Sequence, residues 1–256
     1  MENLLDQEFL NYLQGFEENW LTILPNAIRP VRNQGNIGAC AAFGTTDATS
    51  ALHVINGGES VTLSAQEFVD HLHDRIEHRA DIPVNEGAVL PPTTIHHAFT
   101  MMKVFGVFEE NVYPYTGVKA QVRTIPPEAM NRGRKMFIKS YVPISRRKPL
   151  KAIRALRRQP IVGIMRAPKY FKKFRGPGTY RGLRLKFERA PYHCVLIVGH
   201  GIDSKGRDCF LIKNSHGPRF GFRGFAKVAK TVMVGFAYPV DPEFRRVRFS
   251  RRLRGF

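Results

Sequence analysis

The sequence predicts an α+β protein whose first half is helical and whose second half is mostly β. Before about residue 118 the apolar residues lie in stretches bounded by helix start and stop signals. After it, short β-branched apolar runs alternate with Gly and Pro. With 256 residues and 43% hydrophobic content, the chain can bury one large core or two smaller ones.

The first predicted helix is the N-terminal stretch, where Leu5, Phe9 and Leu13 recur every four residues. The second is a segment of small residues from Ala39 to Ile55, which predicts a buried helix starting near Cys40. It is followed by Asn-Gly-Gly, a stop signal.

Two further helices are expected before residue 118. The tetrapeptide SAQE beginning at Ser64 is a capping box, in which Ser64 accepts from the backbone and Glu67 reaches back. The next helix is expected from Pro92 to Lys103, because Pro is favoured in the first turn.

The second half predicts four strands and one helix. The helix candidate is Pro149–Gln159, with Leu150, Ile153 and Leu156 on one face. The strands are expected at the apolar runs Lys139–Ile144, Ile161–Met165, Cys194–Val198 and Cys209–Ile212.

The charge is distributed unevenly along the chain. Residues 1–120 carry 6 Lys+Arg against 15 Asp+Glu, and residues 121–256 carry 34 against 6, so net charges of −9 and +28 sum to +19. Either the halves face each other and the rest is solvated, or the basic half binds a polyanion such as nucleic acid. The run from Phe244 (FRRVRFSRRLRGF) is either a frayed end or a nucleic-acid or nuclear-import patch.

The composition favours a reducing compartment. Three cysteines are too few for a disulfide framework, and no Asn-x-Ser/Thr sequon occurs. No stretch approaches the roughly 20 apolar residues of a membrane span, and the acidic N-terminus lacks a signal-peptide layout. We expect a cytoplasmic or nuclear protein, or a lysosomal, vacuolar or secreted one if the true N-terminus is missing.

Three residues near the ends of these predicted elements have side chains of the kinds used in nucleophilic catalysis. Cys40 follows a Gly-rich loop and opens a predicted helix, whose N-terminus lowers a thiol pKa. His193 begins one strand and Asn214 ends another. Taken singly, each has an ordinary alternative: a buried structural cysteine, a core histidine and a turn residue.

Taken together with their surroundings, these residues resemble the papain-like cysteine peptidases. PVRNQGNIGACAAF, around Cys40, is similar to that family's active-site segment. YHCVLIVGHG and FLIKNSHG are similar to its histidine strand and its asparagine turn. The motifs LSAQEFVD, NEG and NVYPYTG follow in the family's order. The resemblance implies a two-lobe fold, with a helical N-terminal lobe, a β-barrel-like C-terminal lobe and the active-site cleft between them.

The resemblance also implies the site. Cys40 is expected to be the nucleophile, His193 its base, Asn214 the residue that orients His193, and Gln34 an oxyanion donor. The substrate-binding residues are expected to be Gly38, Glu86, Gly87 and Tyr192. No cofactor and no metal site are expected, since the histidines lack cysteine partners.

Several positions depart from the family pattern. Ile37 and His71 stand where disulfide cysteines are usual, and Ala41 replaces a bulky aromatic. Glu86 replaces a glycine, so the cleft is expected to be narrower or selective for cations. His216 replaces a tryptophan, so we expect a wetter and weaker contact between Asn214 and His193.

Cys194, beside His193, is expected to be buried and inert and to point away from the cleft, because strand side chains alternate.

The predicted organisation is an N-terminal extension (1–18), a peptidase domain (19–240, with lobes at about 19–117 and 118–240) and a basic tail (241–256). We expect a monomeric cysteine-type endopeptidase acting on peptides or proteins. Two alternatives stay open: an inactive peptide-binding relative, and a nucleic-acid-binding module on the same scaffold.

Overall fold

The central element of the protein is a long helix built from small residues. In the computed structural model, which describes residues 5–16, 18–77, 95–118, 133–182 and 190–247, helix α3 spans Cys40–Ile55 and is buried at every position from Ala41 to Leu52. A Cβ atom on Gly44 would lie 3.3 Å from Val162. Small side chains therefore let a sheet pack directly against this helix, and its predicted bounds are confirmed.

Four further helices precede residue 118, of which the last two and the 3₁₀ turn pack on α3. They are α1 (Gln7–Tyr12), α2 (Trp20–Ile23), α4 (Gln66–Glu77) and α5 (Ile95–Phe105), with a 3₁₀ turn at Pro25–Ala27. The predicted start of α5 at Pro92 lies outside the described residues.

The capping box predicted before α4 is half formed. Ser64 Oγ accepts from the backbone N–H of Glu67 at 3.1 Å, as predicted. The Ser64 N–H, however, donates to the carbonyl of Phe108. The Glu67 carboxylate instead accepts from the N–H of Phe108 and pairs with buried Lys135. The reciprocal half of the prediction is wrong, because a buried ammonium is a stronger partner for a carboxylate than a backbone amide is.

The second half forms one mixed seven-stranded sheet in the order β1-β7-β2-β4-β5-β6-β3. All the described neighbours are antiparallel except β3 and β6, which are parallel. Each of the four predicted apolar runs lies in a strand. The strands are β1 (Arg134–Ser145), β2 (Ile161–Arg166), β3 (Thr179–Tyr180), β4 (Tyr192–Ile202), β5 (Asp208–Lys213), β6 (Phe225–Ala229) and β7 (Met233–Arg246).

The helix predicted at residues 149–159 is α6, Pro149–Leu156, and 3₁₀ turns follow later at Lys169–Lys173 and Lys230–Val232. Its buried face is formed by Ala152, Ala155 and Leu156. Of the three residues predicted to share one apolar face, Ile153 and Leu156 pack against the core, whereas Leu150 is 67% exposed.

Both ends of the described chain are built into the fold. Phe9 of α1 is fully buried and stacks on Phe222 at 5.8 Å, and the Gly15 carbonyl accepts from the N–H of Ile202. At the other end, β7 continues to Arg246 and pairs with β1. The first six residues of the predicted tail are therefore strand, and residues 248–256 lie outside the description.

A buried ionic network joins the helices to the sheet. Asp47 of α3 accepts from Lys213 Nζ of β5 at 2.7 Å and from Arg32 at 2.8 Å. Arg32 also pairs with Glu110 at 2.9 Å and lies over the ring of Phe43. Burial opposes ionisation of Asp47, but the two cations keep the pKa of Asp47 below its ordinary value. The network thus fixes α3, the loop that precedes it and the end of β5 relative to one another.

No helix in the described ranges is long and apolar enough to cross a membrane.

Asp47→Asn is expected to lower the free energy of unfolding by about 3–5 kcal/mol, because it leaves the buried Lys213 without its carboxylate and leaves Arg32 with Glu110 alone. Urea unfolding followed by circular dichroism measures this. The matched control is Asp208→Asn, which removes a half-exposed carboxylate paired with Lys230 and should cost less than about 1 kcal/mol. Equal losses in the two variants would show that the network contributes no more than a surface pair.

Candidate active site

Cys40 is the first residue of α3 and lies at the junction of the helices with the sheet. Its N-cap residue, Ala39, has no side chain with which to cap the helix. The first N–H groups and the positive end of the helix dipole therefore favour an anion here. Cys40 is partly exposed and Gly38 is exposed, so the sulfur is reachable from solvent.

The second residue of β4, His193, lies beside Cys40. It pairs with Met165 of β2, is 6% exposed, and packs edge-on against Phe171. Its Nε2 donates to Asn214 Oδ1 at 2.7 Å. This leaves Nδ1 for Cys40, to which the His193 side chain is hydrogen-bonded. The structure thus brings together the three residues predicted from separate parts of the sequence.

The electrostatic environment of Cys40 favours the thiolate. Its pKa is well below the ordinary value, first because the Cys194 side chain donates a hydrogen bond to it. Burial opposes ionisation, but the hydrogen bond and positive charge of His193 and the backbone N–H of Cys194 add to the shift. A low-pKa thiolate beside an imidazolium is the reactive form of a cysteine nucleophile.

Asn214 is fixed by the turn that follows β5. Its backbone N–H donates to the Gly224 carbonyl at 3.0 Å. Its Oδ1 accepts from His193 and also from the Ser215 N–H at 2.9 Å. The preceding residue, Lys213, is in the buried ionic network. The amide is therefore oriented before any substrate binds.

His216 covers the contact between Asn214 and His193. Its ring stacks on His193, with centroids 4.8 Å apart and planes 7° from parallel. Its Nδ1 lies 2.9 Å from Asn214 Nδ2, from which it accepts. The contact between Asn214 and His193 is buried and short, so the expectation that it is wetter and weaker is wrong. An imidazole replaces lost apolar cover by stacking and by a hydrogen bond.

His216 serves in this position as a neutral ring. Burial, and then the charge of His193, lower the pKa of His216 to about 4. Above that pH the Nδ1 lone pair is available to Asn214. Below it, the proton removes the acceptor and places a second cation against His193.

Gln34 is buried beside the asparagine turn. Its Oε1 accepts from Ser215 Oγ at 2.6 Å, and its backbone N–H donates to the Ser215 carbonyl. One Nε2 hydrogen donates to the Ile37 carbonyl at 2.7 Å. The side-chain amide is thus held in one orientation, and its second N–H is the one that can serve an oxyanion.

The predicted substrate-binding residues divide into two groups. Gly38 is exposed, with no atom within 4 Å of the position of a Cβ. Tyr192 is 46% exposed and lies under the guanidinium of Arg166. In the chain, Gly38 lies two residues before Cys40, and Tyr192 immediately precedes His193. Glu86 and Gly87 lie outside the described residues.

Cys194 was predicted to be buried and to point away from the cleft. It is buried, at 5% exposure, but its thiol is hydrogen-bonded to Cys40. Its Cβ faces α3, 3.8 Å from the Cβ position of Gly44 and one turn from Cys40. The first turn of α3 therefore lies beside two adjacent residues of β4, and the prediction that Cys194 points away from the cleft is wrong.

The residues that support the site carry weaker signals in the sequence. Ser215, His216 and the ion pair of Asp47 with Lys213 all lie beside predicted site residues in the chain or on the same helix. Their closeness in the chain to Asn214 and Cys40 is the feature from which they could have been predicted. The ion pair between residues 47 and 213 could not be predicted, because the two residues are far apart in the sequence. Within the described ranges, no group of three or more His, Cys, Asp or Glu side chains is placed to hold a metal.

Comparison with known sequences gives consistent relatives. The sequence model of the family described as papain family cysteine protease matches residues 18–238. The chain is 30% identical over 207 residues to cathepsin R of Mus musculus, covering 79% of this chain and 57% of that protein. It is 28% identical over 208 residues to germination-specific cysteine protease 1 of Arabidopsis thaliana, covering 80% of this chain and 50% of that protein. The chain spans about half the length of these relatives.

The fold is similar to that of the bromelain protease from Ananas comosus, solved in complex with the E64 inhibitor. The TM-score is 0.65 at 24% identity, and the match covers 87% of this chain and 97% of that chain. The similarity confirms the two-lobe α+β fold predicted from the sequence.

His216→Phe is expected to change the acid limb of the reaction of Cys40 with an alkylating reagent. In the unmodified protein this reaction should slow as the pH falls toward about 4, where His216 gains a proton. Phe has no proton to gain, so the acid limb should move to lower pH. The rate above it should fall about 5-fold, since one hydrogen bond of roughly 1 kcal/mol is lost.

The control for this variant is His200→Phe, which removes another half-buried histidine whose pKa is lowered, mainly by burial. It should leave the acid limb where it is. Superimposable acid limbs for His216→Phe and the unmodified protein would show that His216 does not titrate against the site.

Proposed function

Because the chain belongs to the papain family of cysteine proteases, we propose that it is a cysteine-type endopeptidase that hydrolyses peptide bonds through a thioester. The observation that carries this proposal is the position of His193, which lowers the pKa of Cys40 from one side and donates from Nε2 to Asn214 Oδ1 on the other. A cysteine with only a structural role does not need a base beside it, whereas a cysteine nucleophile needs one to form its thiolate.

The chemistry follows from the arrangement. The Cys40 thiolate attacks the carbonyl carbon of the substrate, and protonated His193 donates its proton to the leaving amine. A water molecule then enters, His193 takes one of its protons, and the resulting hydroxide attacks the thioester carbonyl. The C–S bond breaks, releasing the acid product and restoring the Cys40 thiolate beside protonated His193. Asn214 accepts from His193 Nε2 throughout, so that Nδ1 faces the reacting atoms in both steps.

Gln34 is proposed as the oxyanion donor, together with the backbone N–H of Cys40. Support comes from the fixed orientation of its amide, which Ser215 and the Ile37 carbonyl determine. A donor oriented in advance stabilises the developing negative charge without reorganisation, and one such donor is worth roughly 2.7–4 kcal/mol.

The substrate is proposed to be a peptide or protein chain that passes between Gly38 and Tyr192. Open space at Gly38 lets a substrate backbone approach closely. Tyr192, half exposed beside His193, supplies an aromatic wall. Glu86 and Gly87 are proposed, on the family resemblance alone, to line the same path.

The compartment and oligomeric state are part of the proposal. All three cysteines are free, which supports a reducing compartment such as the cytoplasm or nucleus; a lysosomal, vacuolar or secreted location is the alternative. We propose that the protein acts as a monomer. An inactive peptide-binding relative is disfavoured by the way His216 covers the Asn214 contact.

A labelling experiment tests the peptidase proposal. An epoxide probe of the E64 class should alkylate Cys40, because its thiolate is activated and reachable, and Cys40→Ser should abolish the labelling. Cys209→Ala is the matched control, since burial raises the pKa of Cys209 to about 12, and it should label normally. A mixed peptide library should then be cleaved by the unmodified protein and left intact by Cys40→Ala. Equal labelling of all three cysteines, or no cleavage, would refute the proposal.

A second candidate function is supported by the surface of α6. Lys151, Arg154 and Arg158 are exposed and line a groove of about 460 Å³ that ends at Tyr238 and Asp241. Lys151 and Arg154 are on α6 and Arg158 is in the turn that follows it, and such a cluster of exposed cations is a surface that fits the phosphate backbone of nucleic acid. This groove touches the C-terminal end of α3, the end opposite Cys40, so both functions are compatible in one molecule.

The nucleic-acid proposal predicts affinity for a DNA duplex that falls steeply with salt. Changing Lys151, Arg154 and Arg158 together to Gln should weaken binding and reduce the salt slope. The control changes Lys169, Lys172 and Lys173 to Gln, removing the same charge from another exposed segment. No binding to DNA or RNA at low salt, or equal losses from both triple variants, would rule out the α6 surface as the site.

A further inference from the structure

Two cysteine side chains meet at the junction of α3 and β4. Cys194 pairs with Ile164 in the sheet and faces α3, where its Cβ lies 3.8 Å from the position of a Cβ on Gly44. Cys40 is four residues before Gly44 and so shares that helical face. Cys194 therefore faces the helical turn that begins at Cys40, and its side chain is close enough to lower the pKa of Cys40. The peptidase mechanism uses only one of these two sulfurs.

The two thiols differ in ionisation in a way that suits oxidation chemistry. The pKa of Cys40 is lowered, so this residue is the thiolate that oxidants attack. The pKa of Cys194 is raised, first by its hydrogen bond to Cys40 and then by burial, so it stays a thiol. A reactive thiolate beside a resolving thiol is the usual arrangement of a redox-sensitive cysteine pair.

We propose that Cys194 is the resolving cysteine of a reversible oxidation site, at which a hydroperoxide converts Cys40 and Cys194 into an intramolecular disulfide. The proposal deepens the proposed function, since it rests on Cys40 being an activated thiolate. It assigns Cys194 a chemical role that hydrolysis does not require.

The reaction has two balanced steps. The Cys40 thiolate attacks the peroxide oxygen, the O–O bond breaks, and with one proton the products are Cys40 sulfenic acid and an alcohol or water. The Cys194 thiol then attacks the sulfenic sulfur, forming the S–S bond and releasing water. The two sulfurs lose two electrons in total, and the peroxide gains them.

The disulfide has a clear consequence for the site. It takes the sulfur away from His193, so the nucleophile is lost while the bond persists. It also consumes the sulfenic acid before further peroxide converts it irreversibly to sulfinic acid. Thiol reductants reverse the bond by exchange. A disulfide needs Cβ atoms about 3.5–4.5 Å apart. The Cβ of Cys194 lies 3.8 Å from the Cβ position of Gly44, one turn after Cys40 on the same face of α3, so the bond requires the first turn of α3 to approach β4.

The test uses the full chain, hydrogen peroxide as oxidant, and alkylation of the remaining thiols after denaturation. The unmodified protein should keep one of its three thiols, and peptide mass spectrometry should find residues 40 and 194 linked. Dithiothreitol should restore most of the labelling of Cys40 by the epoxide probe. Cys209→Ala should behave the same way, because Cys209 lies in β5 against β6.

Cys194→Ser separates the resolving role from the hydrogen bond, since a hydroxyl still donates to Cys40 but forms no disulfide. This variant should accumulate Cys40 sulfinic acid, and dithiothreitol should restore less than about a tenth of its labelling. The proposal is overturned if peroxide leaves Cys40 unoxidised, if the unmodified protein yields sulfinic acid without the linkage, or if Cys194→Ser recovers as fully as the unmodified protein. Because the readout is mass, it is independent of peptide cleavage, and failure of the peptidase proposal would be seen separately.

Discussion

The carboxylate of Asp47 is the constraint on which the rest of the structure depends. It lies on α3, two turns after Cys40, and pairs with Lys213, the residue immediately before Asn214. It also pairs with Arg32, two residues before Gln34. One buried anion thus fixes the three chain segments that carry Cys40, Asn214 and Gln34, the proposed nucleophile, orienting amide and oxyanion donor. The two cations offset the desolvation free energy of this buried carboxylate only while all three segments remain in place.

The site lies where the N-terminus of α3 meets β4, and the helix and the strand stabilise it through different interactions. The helix supplies a field that favours the thiolate. The strand and the turn after β5 supply directional contacts, with His193, Asn214 and His216 joined by two hydrogen bonds and one ring stack. His216 stands where the family has a tryptophan, yet it covers the same contact, so this departure changes the pH range of the site and preserves its geometry. The same junction places Cys194 beside the first turn of α3, which is why the proposed oxidation involves the proposed nucleophile.

Much of this was predictable from sequence because it depends on local pattern. The bounds of α3, the strand positions, and the order of Cys40, His193 and Asn214 follow from residue types that are close together in the chain. The failures share one cause, which is tertiary contact. Glu67 pairs with Lys135 in place of its predicted capping partner. Two alanines and Leu156, and not Leu150, form the buried face of α6. Cys194 lies beside Cys40, which belongs to another element. The periodicity of a sequence does not predict which residue of another element a side chain will contact across the core.

The pH dependence of Cys40 alkylation by iodoacetamide tests the central claim, a thiolate stabilised by His193, most directly. The account predicts a midpoint well below the free-thiol value of about 8.5, and a rise toward that value in His193→Ala, with Cys194 and Cys209 unreactive over the same range. A midpoint near 8.5 in the unmodified protein, unchanged by His193→Ala, would contradict it.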